Sequence, residues 1–363
     1  MLTIILPSYN ESANIERIID ELLALECGHT IEVIVVDDDS PDGTSELVRA
    51  KAQAEQRIKL VRRVGRSGLA SAIKEGLLDA TGEYAIVMDS DGQHETKSIL
   101  EAIIYLENNI DLDLVVGSRF HHAANIQGLS RERTKGSILA NRAARMSLSG
   151  KYSELTDYMS GFFAIKPSES IQYIRKVDVE GFKFLYELLA ISKGNLNAIE
   201  IPLSFQKREF GESKLNLAIF WDFLISIIHT FTLRSLPRRA ISFGLVGCMG
   251  VVVQLTATFL LMNVGGQEFT SALLASVTIA ACSNYLINNS LTFRSRRLRG
   301  RQLINGLGKF LLVSSLPIIA NIGLASSIYP YLSNNSTLAQ IVGILVAFIW
   351  NYAASSKLVW NTP

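Results

Sequence analysis

The chain has 363 residues, enough for two domains, and its 35 lysines and arginines nearly balance its 34 aspartates and glutamates, for a net charge of +1. That balance excludes a chain recruited to nucleic acid by its overall charge. The charge is unevenly spread, however: Glu268 is the only charged residue between Ala240 and Phe293, and Phe310 to Ser356 holds none.

In chain order, Leu2 to Leu6 reads as an apolar strand and Glu11 to Leu25 as a helix. "IEVIVV" (31–36) is a strand of the fully buried type, and 41–55 opens with turn residues before running as a helix. A strand at 58–63, a helix at 67–80 and a strand at 83–88 follow. Strands alternating with helices predict a mostly parallel α/β sheet with right-handed crossovers. Their continuous apolar character predicts a sheet covered on both faces. The N-terminal "MLTIILPSYNES" has no basic region of the signal-peptide kind and reads as a strand, so the head is expected to stay in the cytoplasm. Cys27, Cys248 and Cys282 form no pairing framework and no metal-binding spacing.

Ligands in such sheets bind beyond the carboxyl ends of the strands, which is where "PSYNE", "DDDSPDG" and "DSDGQH" fall. If the fourth strand continues through its end, alternation points Asp89 and Asp91 to one side, where their repulsion calls for a hard cation. An isolated D-x-D, like Asp37-Asp38-Asp39 alone, is a solvated turn. Beside Glu11 the clusters together make a cleft for a base, a ribose and a metal-bound pyrophosphate. Neither G-x-G-x-x-G nor a P-loop motif occurs there, so metal and basic side chains must neutralise phosphate.

The ordered series "LPSYNES", "VVDDDSPDGT", "GLASAIKEG", "MDSDGQH", "GSRF", "SGFFAI", "GFK" and "GESKL" over residues 1 to about 215 resembles the polyprenol-phosphate mannose synthases, family 2 glycosyltransferases of the GT-A fold. The resemblance implies a nucleotide pocket lined by Pro7, Tyr9, Glu11, Val36 and Asp38. It implies that Asp89, Ser90, Asp91 and Gln93 surround the diphosphate and a Mg²⁺ or Mn²⁺ ion. Asp89, Asp91 and Gln93 form the metal set, with Asp91 and Gln93 as the direct ligands. Arg119 and Arg133 match basic positions near the diphosphate or acceptor, and Leu129 stands where the family often has tryptophan. Asp157 and Ser160-Gly161-Phe162-Phe163 match a segment near the sugar, with Tyr158 where proline is common. Lys183, Arg208 and Lys214 complete the basic set, and Asp89, Asp91, Arg208 and Lys214 are the expected catalytic residues. The implied reaction takes mannose from GDP-mannose to a polyprenyl phosphate with inversion. A UDP-sugar donor, or a tail that translocates lipid-linked sugar, stands as the alternative. A lipid phosphate is already ionised near neutral pH and needs no general base, so His94 need not act as one.

Residues 240–360 resemble the four-helix GtrA-type membrane domain. The expected organisation is a head over 1–214, juxtamembrane helices over 215–236 that lie along the bilayer, and a tail over 237–363. Spans are expected at about 240–263, 270–293, 310–332 and 337–356. Arginines crowd the 294–309 loop and precede the first span, whereas 264–269 and 333–336 carry no lysine or arginine. Positive-inside bias therefore predicts a multi-pass protein of the inner or cytoplasmic membrane, with head and both termini cytoplasmic. Between such spans the basic loop is expected to contact anionic lipid, or simply to set the topology, rather than to bind nucleic acid.

Overall fold

A computed structural model describes residues 1–65, 68–93, 96–122, 124, 131–179, 183–203, 217–328, 346 and 348–361. The side chains of 131–135, 217–219, 269–270, 273–274 and 316–328 lie outside that description. The chain divides into two compact units, Met1–Phe231 and Thr232–Pro363.

The first unit alternates strand and helix: β1 (Leu2–Ser8), α1 (Ile15–Leu23), β2 (Ile31–Asp37), α2 (Thr44–Ala54), β3 (Ile58–Arg62), α3 (Leu69–Asp79) and β4 (Tyr84–Val87). It continues through α4 (Lys97–Asn108), β5 (Leu114–Ser118), α5 (Arg131–Ser147), β6 (Phe163–Ile165), α6 (Pro167–Ile174), α7 (Phe184–Ser192), β7 (Ala198–Pro202) and α8 (Leu217–Phe231). The seven strands form one sheet in the order β3-β2-β1-β4-β6-β5-β7. β6 runs antiparallel to both of its neighbours, and the other pairings are parallel. This is the expected GT-A-like head.

Every residue of β1 is buried, because helices cover both faces of the sheet. Ile5, Ile34 and Val36 face one core with Leu114, Val116 and Phe163, whereas Ile4, Leu6, Val33 and Val35 face the other. This is the period-2 alternation of a strand. Each such aliphatic side chain contributes about 1.5–3 kcal/mol through burial. In α1, Ile15, Ile18, Ile19 and Leu22 are buried at helical spacing, which fixes the helix on the sheet. α8 belongs to this unit: Phe223 and Ile227 join the core, and Phe223 meets Tyr186 edge-on with centroids 6.0 Å apart. Phe220 and Phe231 on the same helix remain exposed.

Register explains how the site is assembled. Pairing of Ser8 with Asp37, Asp37 with Arg62 and Ile5 with Val87 aligns the carboxyl ends of β1–β4 along one rim. Because β6 is reversed, the residues entering it, Asp157 to Phe162, come to that rim from its amino end.

The second unit contains α9 (Arg238–Asn263), α10 (Phe269–Ile287) and α11 (Arg301–Ile328), followed by helical residues 348–354. Among the described residues, α9 is the helix long and apolar enough to cross a membrane. Half of the segment expected to span at 337–356, residues 337–345 and 347, lies outside the described residues. π-helical turns occupy Asn288–Thr292 and Ser355–Val359. They are equivalent positions of an internal repeat: the same interval separates Phe243 from Phe310, Asn284 from Asn351, Tyr285 from Tyr352 and Phe293 from Trp360. The rings of Phe293 and Trp360, each closing its π-turn, stack with centroids 4.1 Å apart. Asn289 Oδ1 accepts from the Trp360 indole at 3.1 Å and from the Leu298 amide at 2.8 Å.

Candidate active site

The loops after β1 and β2 are tied together. The amides of Asn10 and Glu11 donate to Ser40 Oγ (2.9 Å) and Thr44 Oγ1 (3.1 Å), and the Ser12 amide donates to Asp42 (3.0 Å). Asn10 and Asp39 occupy left-handed backbone, with φ of 57° and 62°. The three consecutive aspartates have separate roles. Asp37 is fully buried and accepts from the Ser40 amide and from both the Ser40 and Ser45 hydroxyls, so it holds the loop. Asp38 accepts from Arg63 at 3.0 Å and from the Gly68 amide at 2.9 Å. Asp39 accepts from the Gly65 amide at 3.2 Å. Arg63, just past β3, also donates to Ser71 and pairs with Glu75. Motif reasoning did not single out Arg63; its position one residue beyond a carboxyl strand end is the signal that finds it. Tyr9 and Glu11 are half-buried beside these loops. Pro7 is buried, and Val36 has its side chain wholly within the core, so any contact of Val36 with a nucleotide falls to its main chain.

β4 ends at Val87, so Asp89 and Asp91 lie in the following turn and strand alternation does not align them. The turn is pinned from beneath: Ser90 Oγ receives from Ser8 Oγ (3.0 Å) and donates to the Pro7 carbonyl (3.1 Å). Gly92 supplies a left-handed step at φ 75°, after which the Gln93 amide donates to Asp91 Oδ1 at 3.1 Å. Two carboxylates and the Gln93 amide oxygen form a set of hard oxygen donors. That set fits Mg²⁺ or Mn²⁺, which are commonly bound through one or two carboxylates, with substrate phosphate completing the shell. No group of three or more His, Cys, Asp or Glu able to hold a metal occurs among the described residues, so protein carboxylates alone do not make a full cage. His94 lies outside the described residues.

The reversed strand brings a charged cluster beside Asp89. Arg119 donates to Asp157 through Nε (2.7 Å) and Nη2 (3.0 Å), the two-pronged geometry specific to arginine. Asp157 is fully buried, and Glu200 of β7 fixes its segment by accepting from the Thr156 amide (2.6 Å), the Asp157 amide (2.8 Å) and the Thr156 hydroxyl (2.9 Å). Ser160 Oγ donates to the Gly117 carbonyl at 2.6 Å and caps the Phe162 amide. Gly161 packs directly against the Asp89 carboxylate, leaving no space for a side-chain carbon. Tyr158 donates from its amide to Asn141 Oδ1 (3.0 Å) and from its hydroxyl to the Tyr152 carbonyl (2.8 Å); the first is a bond that proline could not make.

Burial works against the charge of Arg119, but the Asp157 carboxylate, supported by Asp89, outweighs it and raises the guanidinium above its ordinary range. Burial pushes the Lys183 ammonium below the usual lysine range, against the pull of Asp89 and Asp157 and with the help of Arg119. Arg119, Asp157, Asp89 and Lys183 therefore form one electrostatically coupled group. Arg133 lies on α5, its side chain outside the described set, and Arg208 and Lys214 fall outside the described residues altogether.

A mostly parallel sheet that gathers acidic loops, hard oxygen donors and half-buried cations at one rim defines a GT-A-like glycosyltransferase head. Residues 3–167 match the model for glycosyl transferase family 2, and residues 242–360 match that for the GtrA/DPMS transmembrane domain. The chain is 29% identical over 364 residues to a dolichol-phosphate mannosyltransferase from Pyrococcus furiosus, covering 99% of each protein. It is 30% identical to that of Saccharomyces cerevisiae, over 61% of this chain and 84% of the relative. A mannosyltransferase from Pyrobaculum calidifontis, solved in complex with GDP-Man and Mn²⁺, is 17% identical, with a TM-score of 0.44 over 100% of this chain and 88% of that one. The chain belongs to glycosyl transferase family 2 and is a membrane glycosyltransferase with a GtrA/DPMS tail.

Proposed function

We propose that the protein transfers mannose from GDP-mannose to a polyprenyl phosphate such as dolichyl or undecaprenyl phosphate. The coupling of Arg119, Asp157, Asp89 and Lys183 beside the Asp91–Gln93 turn carries this reading, because it sets cations and hard oxygen donors at one rim. The name dolichol-phosphate mannosyltransferase, shared by relatives from an archaeon and a yeast, supports the choice of donor and acceptor.

In this reading Pro7, Tyr9, Glu11, the Val36 main chain and Asp38 hold the nucleoside. Asp91 and Gln93, with Asp89, hold Mg²⁺ or Mn²⁺, which supplies Lewis-acid stabilisation of the departing diphosphate. Ser90 and Arg119 position the diphosphate, and Asp157 and Ser160 shape the sugar pocket. Lys183, Arg133, Arg208 and Lys214 orient the acceptor. A phosphate oxygen of the lipid forms the new bond to C1 as the C1–O bond to the diphosphate breaks. GDP leaves with that bond's electron pair, and no proton need move. In-line attack on an α-linked donor inverts C1 and yields a β-linked product. The head, juxtamembrane and four-span tail organisation, with head and termini cytoplasmic, completes the proposal; it delivers the lipid phosphate at the surface that the nucleotide sugar reaches.

The test is purified protein given radiolabelled GDP-mannose or UDP-glucose with undecaprenyl or dolichyl phosphate, with and without EDTA, and NMR of the product's anomeric centre. Lipid-extractable label from GDP-mannose, lost in EDTA and β-linked, is the expected result. Label from UDP-glucose alone overturns the donor.

A further inference from the structure

One cation at the rim belongs to none of the sequence motifs. Arg17 lies on α1, off the buried stripe of Ile15, Ile18, Ile19 and Leu22, and its side chain is 45% exposed. Nη1 donates to Glu21 at 2.8 Å, one helical turn onward. Nη2 is turned to Gly92 in the Asp89–Gln93 turn. A side-chain carbon at position 92 would stand 2.6 Å from Nη2, well inside the 3.4 Å at which ordinary contact begins. Glycine there thus serves twice: it adopts the left-handed φ of 75°, and it admits the guanidinium against the turn.

Gly92 separates Asp91 from Gln93, the residues proposed as direct metal ligands. Successive Cα atoms are about 3.8 Å apart, so Nη2 lies within about 8 Å of the backbone of both. An exposed ion pair with Glu21 contributes little by itself and does not require the guanidinium to lie over a glycine. A lone cation beside a metal site would oppose metal binding, unless an anion joins the two. Phosphate is such an anion: it completes the shell of Mg²⁺ or Mn²⁺, and the arginine fork matches its oxygens. Arg119 and Lys183 are coupled to Asp89, at the head of the turn, whereas Arg17 meets the turn at its far end. We propose that Arg17 is a phosphate-binding residue of the nucleotide-sugar site, holding a diphosphate oxygen at the Gly92 end of the turn while Arg119 serves the Asp89 end. The inference rests on the proposed function and adds a residue to its donor site.

Three substitutions separate this role from that of the helix pair. Arg17→Gln removes the charge at an exposed position, Arg17→Lys keeps it, and Glu21→Gln breaks the pair while leaving Arg17 charged. GDP is titrated calorimetrically in EDTA and in Mn²⁺, each at low and high salt, and Mn²⁺ alone is titrated by the EPR signal of the free ion. Arg17→Gln should bind GDP about 3- to 10-fold more weakly with or without Mn²⁺, a gap that narrows as salt rises. It should bind Mn²⁺ alone no less tightly than wild type, because losing a neighbouring positive charge does not weaken a cation's binding. Arg17→Lys should recover most of the GDP affinity, Glu21→Gln should bind GDP at least as well as wild type, and all three should melt near the wild-type temperature. Wild-type GDP affinity in Arg17→Gln, a parallel loss of GDP and Mn²⁺ binding, or an equal loss of GDP affinity in Glu21→Gln overturns the inference. A wild-type protein that binds neither GDP nor Mn²⁺, or that binds UDP in place of GDP, overturns the proposed function instead.

Discussion

Gly161→Ala isolates the contribution of Asp89. Gly161 has no left-handed backbone to strain, so the substitution acts only through its new carbon, which would stand 2.9 Å from Asp89 Cγ and 3.0 Å from Oδ1, with Oδ2 nearer still. Ordinary contact begins at 3.4 Å, so the carboxylate must retreat by roughly 0.5–1 Å, a displacement of the size that costs on the order of 100-fold in rate when a reacting group is misplaced. The carboxylate is the end of a side chain that can rotate, so the loss of stability should stay near the lower end of the roughly 1–3 kcal/mol typical of overpacking. Gly117→Ala serves as the control: its added carbon meets the Phe162 ring at 2.7 Å and Leu203 at 3.1 Å, a purely apolar clash in the core. Transfer of radiolabelled mannose to undecaprenyl phosphate, measured beside thermal melting, should show Gly161→Ala folded but slowed about 100-fold, and Gly117→Ala the more destabilised of the two. If Gly161→Ala transfers at the wild-type rate with unchanged metal dependence, Asp89 has no part in the chemistry.

Asp91→Ala should abolish transfer with little change in melting temperature, since the residue belongs to a turn and not to the core; normal turnover in EDTA would remove the metal from the proposal. Lys183 loses its proton more readily in the folded chain than in the unfolded one, so folded stability should rise, and transfer should fall, as pH climbs from the depressed folded pKa toward about 10.4. Lys183→Arg should shift the alkaline limb of the pH–rate profile upward, and an unmoved limb assigns it to another group. In a background lacking Cys27, Cys248 and Cys282, a cysteine in the 294–309 loop should resist an impermeant thiol reagent outside intact cells while one at Gly266 reacts; the reverse pattern inverts the topology.

The first four strands were legible because burial on both faces writes an unbroken apolar run into each of them. β6 was not: three residues long and reversed, it takes its direction from its neighbours β4 and β5, and nothing local encodes that. The acidic clusters announced a site, but not the division of labour within it. Three adjacent aspartates look alike in sequence, and only the approach of Ser40 and Ser45 to Asp37, and of Arg63 to Asp38, separates loop brace from cleft residue. Strand alternation predicted that Asp89 and Asp91 would align, whereas β4 ends at Val87 and a turn pinned by Ser8 and Ser90 carries them. Asn141 and Glu200 escaped notice because neither belongs to a charged motif; each acts on a backbone segment remote in sequence.

The repeat in the second unit is asymmetric at the positions that join its halves. Where the first half carries Asn288, Asn289 and Phe293, the second carries Ser355, Ser356 and Trp360. The bond from the Trp360 indole to Asn289 therefore needs one partner from each half. Two copies of the first half would replace the indole by a phenyl ring and lose the donor; two copies of the second would replace Asn289 by serine and lose the long amide that also engages Leu298. The two halves are complementary parts, not interchangeable copies. A deletion or fusion that falls between them separates this donor from its acceptor.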